Sequence, residues 1–76
     1  MIRELEVVAL AEDLPELGLK AGDVGTVVLV HGDSGFEIEF VTFGGETVAV
    51  VTVDKHQVRR LGRKEIHHTR VLEAAP

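Results

Sequence analysis

The sharpest pattern along the chain is the strict alternation Phe36-Glu37-Ile38-Glu39-Phe40, which sets three apolar side chains on one face of an extended strand and two glutamates on the other. Before it, Val24 to His31 (Val-Gly-Thr-Val-Val-Leu-Val-His) is rich in β-branched residues. It ends at Gly32-Asp33-Ser34-Gly35, four turn formers in a row, so a strand and a hairpin are predicted there. After it, a turn at Gly44-Gly45 leads into Thr47 to Val53, a run of high β propensity in which alternation alone does not choose a buried face. Glu6 to Leu10 reads as a first strand, bounded by Glu12-Asp13, and Val58 to Leu61 as a short closing strand. The polar stretch Asp54-Lys55-His56-Gln57 before the closing strand is expected to form a 3₁₀ turn. Residues 11 to 23 hold a proline, two glycines and three leucines, which predicts a long loop whose leucines fold back onto the body.

Five short strands, one long first loop, two tight hairpins and a turn before the last strand describe an all-β, five-stranded SH3-like barrel over residues 1–61. Residues 62–76 form a C-terminal extension. Closure into a barrel would hide the strand edges and gather the neighbourhoods of all three phenylalanines into one core. The competing small barrel, the OB-fold, wants a helix between its strands, and no segment here supplies one.

At 76 residues the chain has room for one modest core, and with no cysteine its 45% hydrophobic content must supply the stability. The opening residues Met1 to Glu6 are acidic where a signal peptide needs a basic segment and an apolar run, and no apolar stretch approaches membrane-spanning length, so a cytoplasmic location is expected. The net charge of −5 conceals an asymmetry. Residues 1–54 hold two cations against eleven acids, whereas residues 55–76 hold six cations against two acids. An acidic body repels phosphate backbones and favours basic partners.

Three constellations suggest chemistry and each has a plainer explanation. Gly32-Asp33-Ser34-Gly35 spells the nucleophile motif of chymotrypsin-like proteases, but a triad is defined by geometry, and this tetrapeptide sits in a hairpin turn. No catalytic residue is assigned. Of the four histidines, His67 and His68 are adjacent and cannot converge on one ion from a regular element, and no His-x-His pair accompanies His31 or His56. No metal or cofactor is expected. Glu37 and Glu39 face outward by alternation, which a solvated strand face explains.

The segments Asp13-Leu14-Pro15, Gly18-Leu19-Lys20-Ala21-Gly22-Asp23-Val24-Gly25-Thr26-Val27-Val28 and Phe36 to Phe40 resemble a bacterial family designated domain of unknown function 4926, over roughly residues 4 to 61. The resemblance implies a small, free-standing SH3-like protein and brings no established activity or catalytic residue. More loosely, Lys20 to Val27 is similar to the glycine-centred KOW element of ribosomal and transcription proteins, and to small barrel subunits of photosynthetic electron-transfer complexes. Gly22 and Gly25 are expected to supply a left-handed turn and a close backbone approach, and Gly32, Gly35, Gly44 and Gly45 to serve the two hairpin turns.

Beyond the last strand, the extension is expected to be a helix from Lys64 to Ala75 or a sixth strand through Thr69 to Leu72, with Ile66, Val71 and Leu72 packing on the barrel or on another protein. The functional expectation is a non-enzymatic protein-interaction module, either a small neutralising partner of the antitoxin or immunity type or an accessory subunit, monomeric or homodimeric. Its candidate partner surface comprises Arg59, Arg60, Arg63, Lys64, Ile66, Val71 and Leu72. The alternative is a KOW-like nucleic-acid-binding barrel using the same four cations. Against it stand the acidic body, the absence of Trp and Tyr, and three phenylalanines expected to be internal or turn-associated.

Overall fold

The computed structural model describes residues 1–72. Its strands are β1 (Val7–Leu10), β2 (Val24–His31), β3 (Gly35–Val41), β4 (Thr47–Asp54) and β5 (Val58–Arg60). They form one antiparallel sheet in the order β4-β3-β2-β1-β5, the pairing of a small SH3-like, all-β fold. The sheet is not closed: β4 and β5 lie at opposite ends of the order and are not paired with each other. The physical reason is length, because β5 offers three residues and pairs them with Leu10, Ala9 and Val8 of β1. Among the described residues no helix is long and apolar enough to cross a membrane.

Two slips in register decide which side chains point inward. Between Val27 and Leu29 the pairing of β2 with β3 shifts by one, so Gly25 and Val27 are buried before the slip, and Val28 and Leu29 are exposed at it. A second shift beside Phe40 and Val41 leaves Val48 as the extra residue of β4 and sets Ala49, Val51 and Val53 on the inner face. These join Phe36, Ile38 and Phe40 of β3, Val8 and Leu10 of β1, Val27, Val58 and Leu19 in and around the core. Phe43 is left out of it, 93% exposed, because it lies in the tight β3–β4 connection where neither sheet face is available to it.

The first loop is held by its own acids. Asp13 accepts a hydrogen bond from the Ala21 N–H at 2.8 Å, Asp23 accepts one from the Lys20 N–H at 2.8 Å, and a 3₁₀ turn occupies Pro15–Leu17. Of its leucines, Leu19 enters the core and Leu14 packs partly against it, whereas Leu17 stays 47% exposed. The connection from β4 to β5 is an ordinary hydrogen-bonded turn rather than the expected 3₁₀ turn. Gln57 N–H closes it onto the Asp54 carbonyl at 3.0 Å, while the Gln57 Oε1 and Asp54 Oδ1 atoms accept backbone N–H groups inside it.

The extension forms neither the expected helix nor the sixth strand within residues 62–72, and residues 73–76, the end of that helix, lie outside the described residues. A turn at Gly62–Glu65 begins it. The rest runs as an irregular strap. On β1, Val8 and Leu10 face the core, so Ala9 faces the other side, yet Ala9 is only 1% exposed. Gly62, Glu65, Ile66 and His67 line the hollow next to it, so the strap is its cover.

Candidate functional site

Charge rather than hydrophobic contact fastens the strap. The Arg70 Nε donates to Asp23 Oδ1 at 2.9 Å, and its Nη2 donates to both Asp23 Oδ2 and the Gly18 carbonyl, the latter at 3.0 Å. Partial burial pushes the Asp23 carboxyl up, but the Arg70 guanidinium and the Lys20 N–H more than offset it, and the group titrates below its ordinary value. At the other end of the strap, Glu65 accepts the Gly62 N–H and the Arg59 guanidinium, and these two contacts lower its carboxyl, the former first. Arg60 pairs with Glu6 at 2.7 Å and holds that carboxyl low, helped by the Arg3 N–H.

These pairings redistribute the predicted partner surface. Arg59 and Arg60 are engaged with acids of their own chain, while Arg63 and Lys64 are exposed. Ile66 and Val71 do not pack on the barrel: they are 91% and 89% exposed. The strap lies at the sheet's outer face through backbone, His67, His68 and Arg70, and only Leu72 of the three apolar residues is half-covered. Gly22, Gly32 and Gly45 adopt positive φ. Gly25 has no room for a side chain, since a Cβ there would lie 2.5 Å from Ile38 Cγ2 and 2.9 Å from the Glu39 carbonyl oxygen. Gly35 backs closely onto the Val53 carbonyl, and Gly44 is unstrained. Ser34 occupies the hairpin turn, its carbonyl accepting the Lys55 N–H at 3.0 Å, and His31 Nε2 meets Glu37 Oε2 at 2.7 Å across β2 and β3. Among the described residues no group of three or more His, Cys, Asp or Glu side chains is placed to hold a metal ion.

What the strap and the sheet enclose together is an open groove of about 510 Å³. Its walls come from β1, β2, β3 and the strap, and its apolar lining includes the exposed or half-exposed Val7, Val24, Val41, Phe43, Val48 and Leu72, with the core residues Leu19 and Phe40 reaching it from within. Phe43 stands at one end with Val41, itself 53% exposed, beside it. Glu39, hydrogen-bonded to Thr47 Oγ1 at 3.0 Å, and Asp23 supply acid at the groove. The candidate residues that sequence reasoning passed over are therefore Phe43, the outward valines and the Asp23–Arg70 clamp. An aromatic next to the Gly44-Gly45 turn is a usable signal for Phe43. The clamp joins residues 47 apart with no local pattern to announce it.

No curated protein and no solved structure significantly matches the chain. The family model described as domain of unknown function DUF4926 matches residues 4–60, most of the chain and the whole of the sheet, and the protein belongs to that family.

Proposed function

We propose that the domain is a protein-interaction module whose partner seats in the outer-face groove against Phe43. The single observation that carries this reading is the exposure of that phenylalanine, 93%, beside a row of half-exposed valines. A free aromatic rimmed by polar residues is the anchor that protein partners bury at the centre of an interface. Glu39 at the groove favours a basic partner, Asp23 being already paired with Arg70, and this is the chemistry expected of a small neutralising or accessory partner of a basic protein. The nucleic-acid reading draws less support, because Arg59 and Arg60 are paired with Glu65 and Glu6, leaving Arg63 and Lys64 as its main cations.

The test is recovery of the tagged full chain from its native host. A stoichiometric partner is expected with the unaltered protein and none with Phe43→Ser, which removes the anchor and touches no core contact. Recovery of the chain alone, or equal capture by the variant, counts against the reading. A salt-dependent shift of single-stranded or duplex RNA would favour the alternative.

A further inference from the structure

Among the described residues, the open sheet leaves one margin with no second strand and no guard charge along its length. β4 is eight residues long, uncharged from Thr47 to Val53, free of proline, and paired on one side only, with β3. Proteins ordinarily blunt such an edge with charge, brevity or a covering loop. The opposite margin is short and charged: β5 is three residues long, carries Arg59 and Arg60, and leads into the strap. An edge left bare when its counterpart is guarded is a template for another strand.

Charge decides which strand. The outer face of the β3–β4 ribbon sets Glu39 opposite Val50 and Glu37 opposite Thr52, and Glu46 and Asp54 bracket the strand ends. A second copy of this chain is a poor occupant. Two β4 strands centred antiparallel would bring Glu46 of one alongside Asp54 of the other, at both ends, and like charges directly opposite are destabilising. The nearby cation does not cancel this, since Lys55 lies past the strand in the turn.

We propose that β4 is a strand-addition edge that takes an extended segment of a partner protein in which apolar residues alternate with Lys or Arg. On the inner side the added apolar residues extend the core beside Val51 and Val53. On the outer side the cations stand about 10 Å, two strand spacings, from the backbone of Glu37 and Glu39, a gap that a lysine and a glutamate side chain bridge together. The groove meets this edge at Val48, so one partner can fill the groove and continue along β4. The inference rests on the reading that the domain binds protein, and adds where the partner's backbone lies and what its sequence looks like.

The experiment uses the isotope-labelled full chain and two synthetic decapeptides with blocked ends, one alternating Val and Lys, the other Val and Glu. The Val/Lys peptide is expected to slow amide exchange at least tenfold at the outward N–H groups within residues 47–53, and the Val/Glu peptide to leave them unchanged. Glu37→Gln with Glu39→Gln weakens binding at least tenfold. Val50→Lys, a guard charge at a site 53% exposed in the folded domain, abolishes it. Spectra of each variant without peptide report whether its fold is intact. Absence of binding, protection on β5, equal binding of both peptides, or β4 protection that grows with protein concentration alone overturns the inference. Protection at Val24, Val41 and Phe43 instead of β4 also overturns it, and that result leaves the groove reading intact.

Discussion

The two margins of the sheet were built from opposite materials. β5 is short, bears two arginines and pairs with β1, and its surroundings are knitted by Arg60–Glu6, Arg59–Glu65 and, through the strap, Arg70–Asp23. β4 is long and apolar and, among the described residues, pairs as a strand with β3 alone, which in turn pairs with β2. The difference teaches how a five-stranded domain can stop short of closure. Polar contacts finish one margin, and the other is left with main-chain groups unspent. It also bears on the chain's charge asymmetry: Arg60 and Arg70 pair with Glu6 and Asp23 beside β1 and the first loop, Arg59 pairs with Glu65, and Arg63 and Lys64 stay exposed.

The serial attachment of β4 predicts the largest effect. Gly25 lies at the β2–β3 seam, where a methyl group would meet Ile38, Phe40 and the Glu39 carbonyl within 3 Å. Gly25→Ala therefore forces β3 away from β2, and among the described residues β4 has no second strand to hold it in the sheet. A loss of about 2–3 kcal/mol is expected in urea unfolding, the cost typical of overpacking a close seam. A loss under about 0.5 kcal/mol, the scatter of neutral surface changes, would show that the seam yields and that the β4 margin is better supported than its pairing implies.

Removing the strap tests the other margin and costs less. Truncation after Leu61 uncovers Ala9 and deletes the Arg70–Asp23 clamp, and Ile66 and Val71 add almost nothing because they are already in water. The expected loss is roughly 1–2 kcal/mol, one charge-assisted contact and one small apolar face, discounted for solvent at the rim. Equal melting temperatures for the full and truncated chains would show that the strap is held by nothing.

Acid should loosen the same margin selectively. The carboxyls of Asp23, Glu6 and Glu65 all titrate below their ordinary values in the folded chain, so their contribution is complete above the usual carboxylate range near pH 4 and is lost as pH falls beneath it. Amide exchange compared at neutral pH and near pH 3 should show Ala9 and the strap losing protection before Ile38 does. Loss at β3 and β4 first would reverse the comparison.

Most of the fold was legible in the sequence because strands announce themselves locally. The Phe36 to Phe40 alternation fixes a face, and Gly32 to Gly35 fixes a hairpin, without reference to the rest of the chain. The inner face of β4 was not legible, since it depends on a register shift beside Phe40 that no run of valines reveals. The strap was misjudged for a related reason. Ile66, Val71 and Leu72 suggest apolar docking, whereas the fastening comes from Arg70 reaching Asp23 across 47 residues. At the candidate site, Phe43 could be read as turn-associated, but its exposure follows from the tight connection around it.

The smallest expected effect concerns the charges that separate the margins. Arg60 and Glu6 form an exposed pair on the β5 side, screened by water and by salt, so Arg60→Ala should move the urea midpoint by less than the scatter between repeat measurements. Val50→Lys on the β4 side adds a cation to the outer face near Glu39 and should be equally quiet, because Val50 is already half in water. The two substitutions together nearly exchange the guards of the two edges while leaving the core untouched. If the edges are set by selection against pairing rather than by stability, both midpoints stay put, and Arg60→Ala leaves the sedimentation coefficient of the unaltered chain unchanged as well, since β5 is still short and followed by its strap. A midpoint that falls appreciably in Arg60→Ala would mean that the arginine holds β5 onto β1, and that charge at this margin is structural rather than protective.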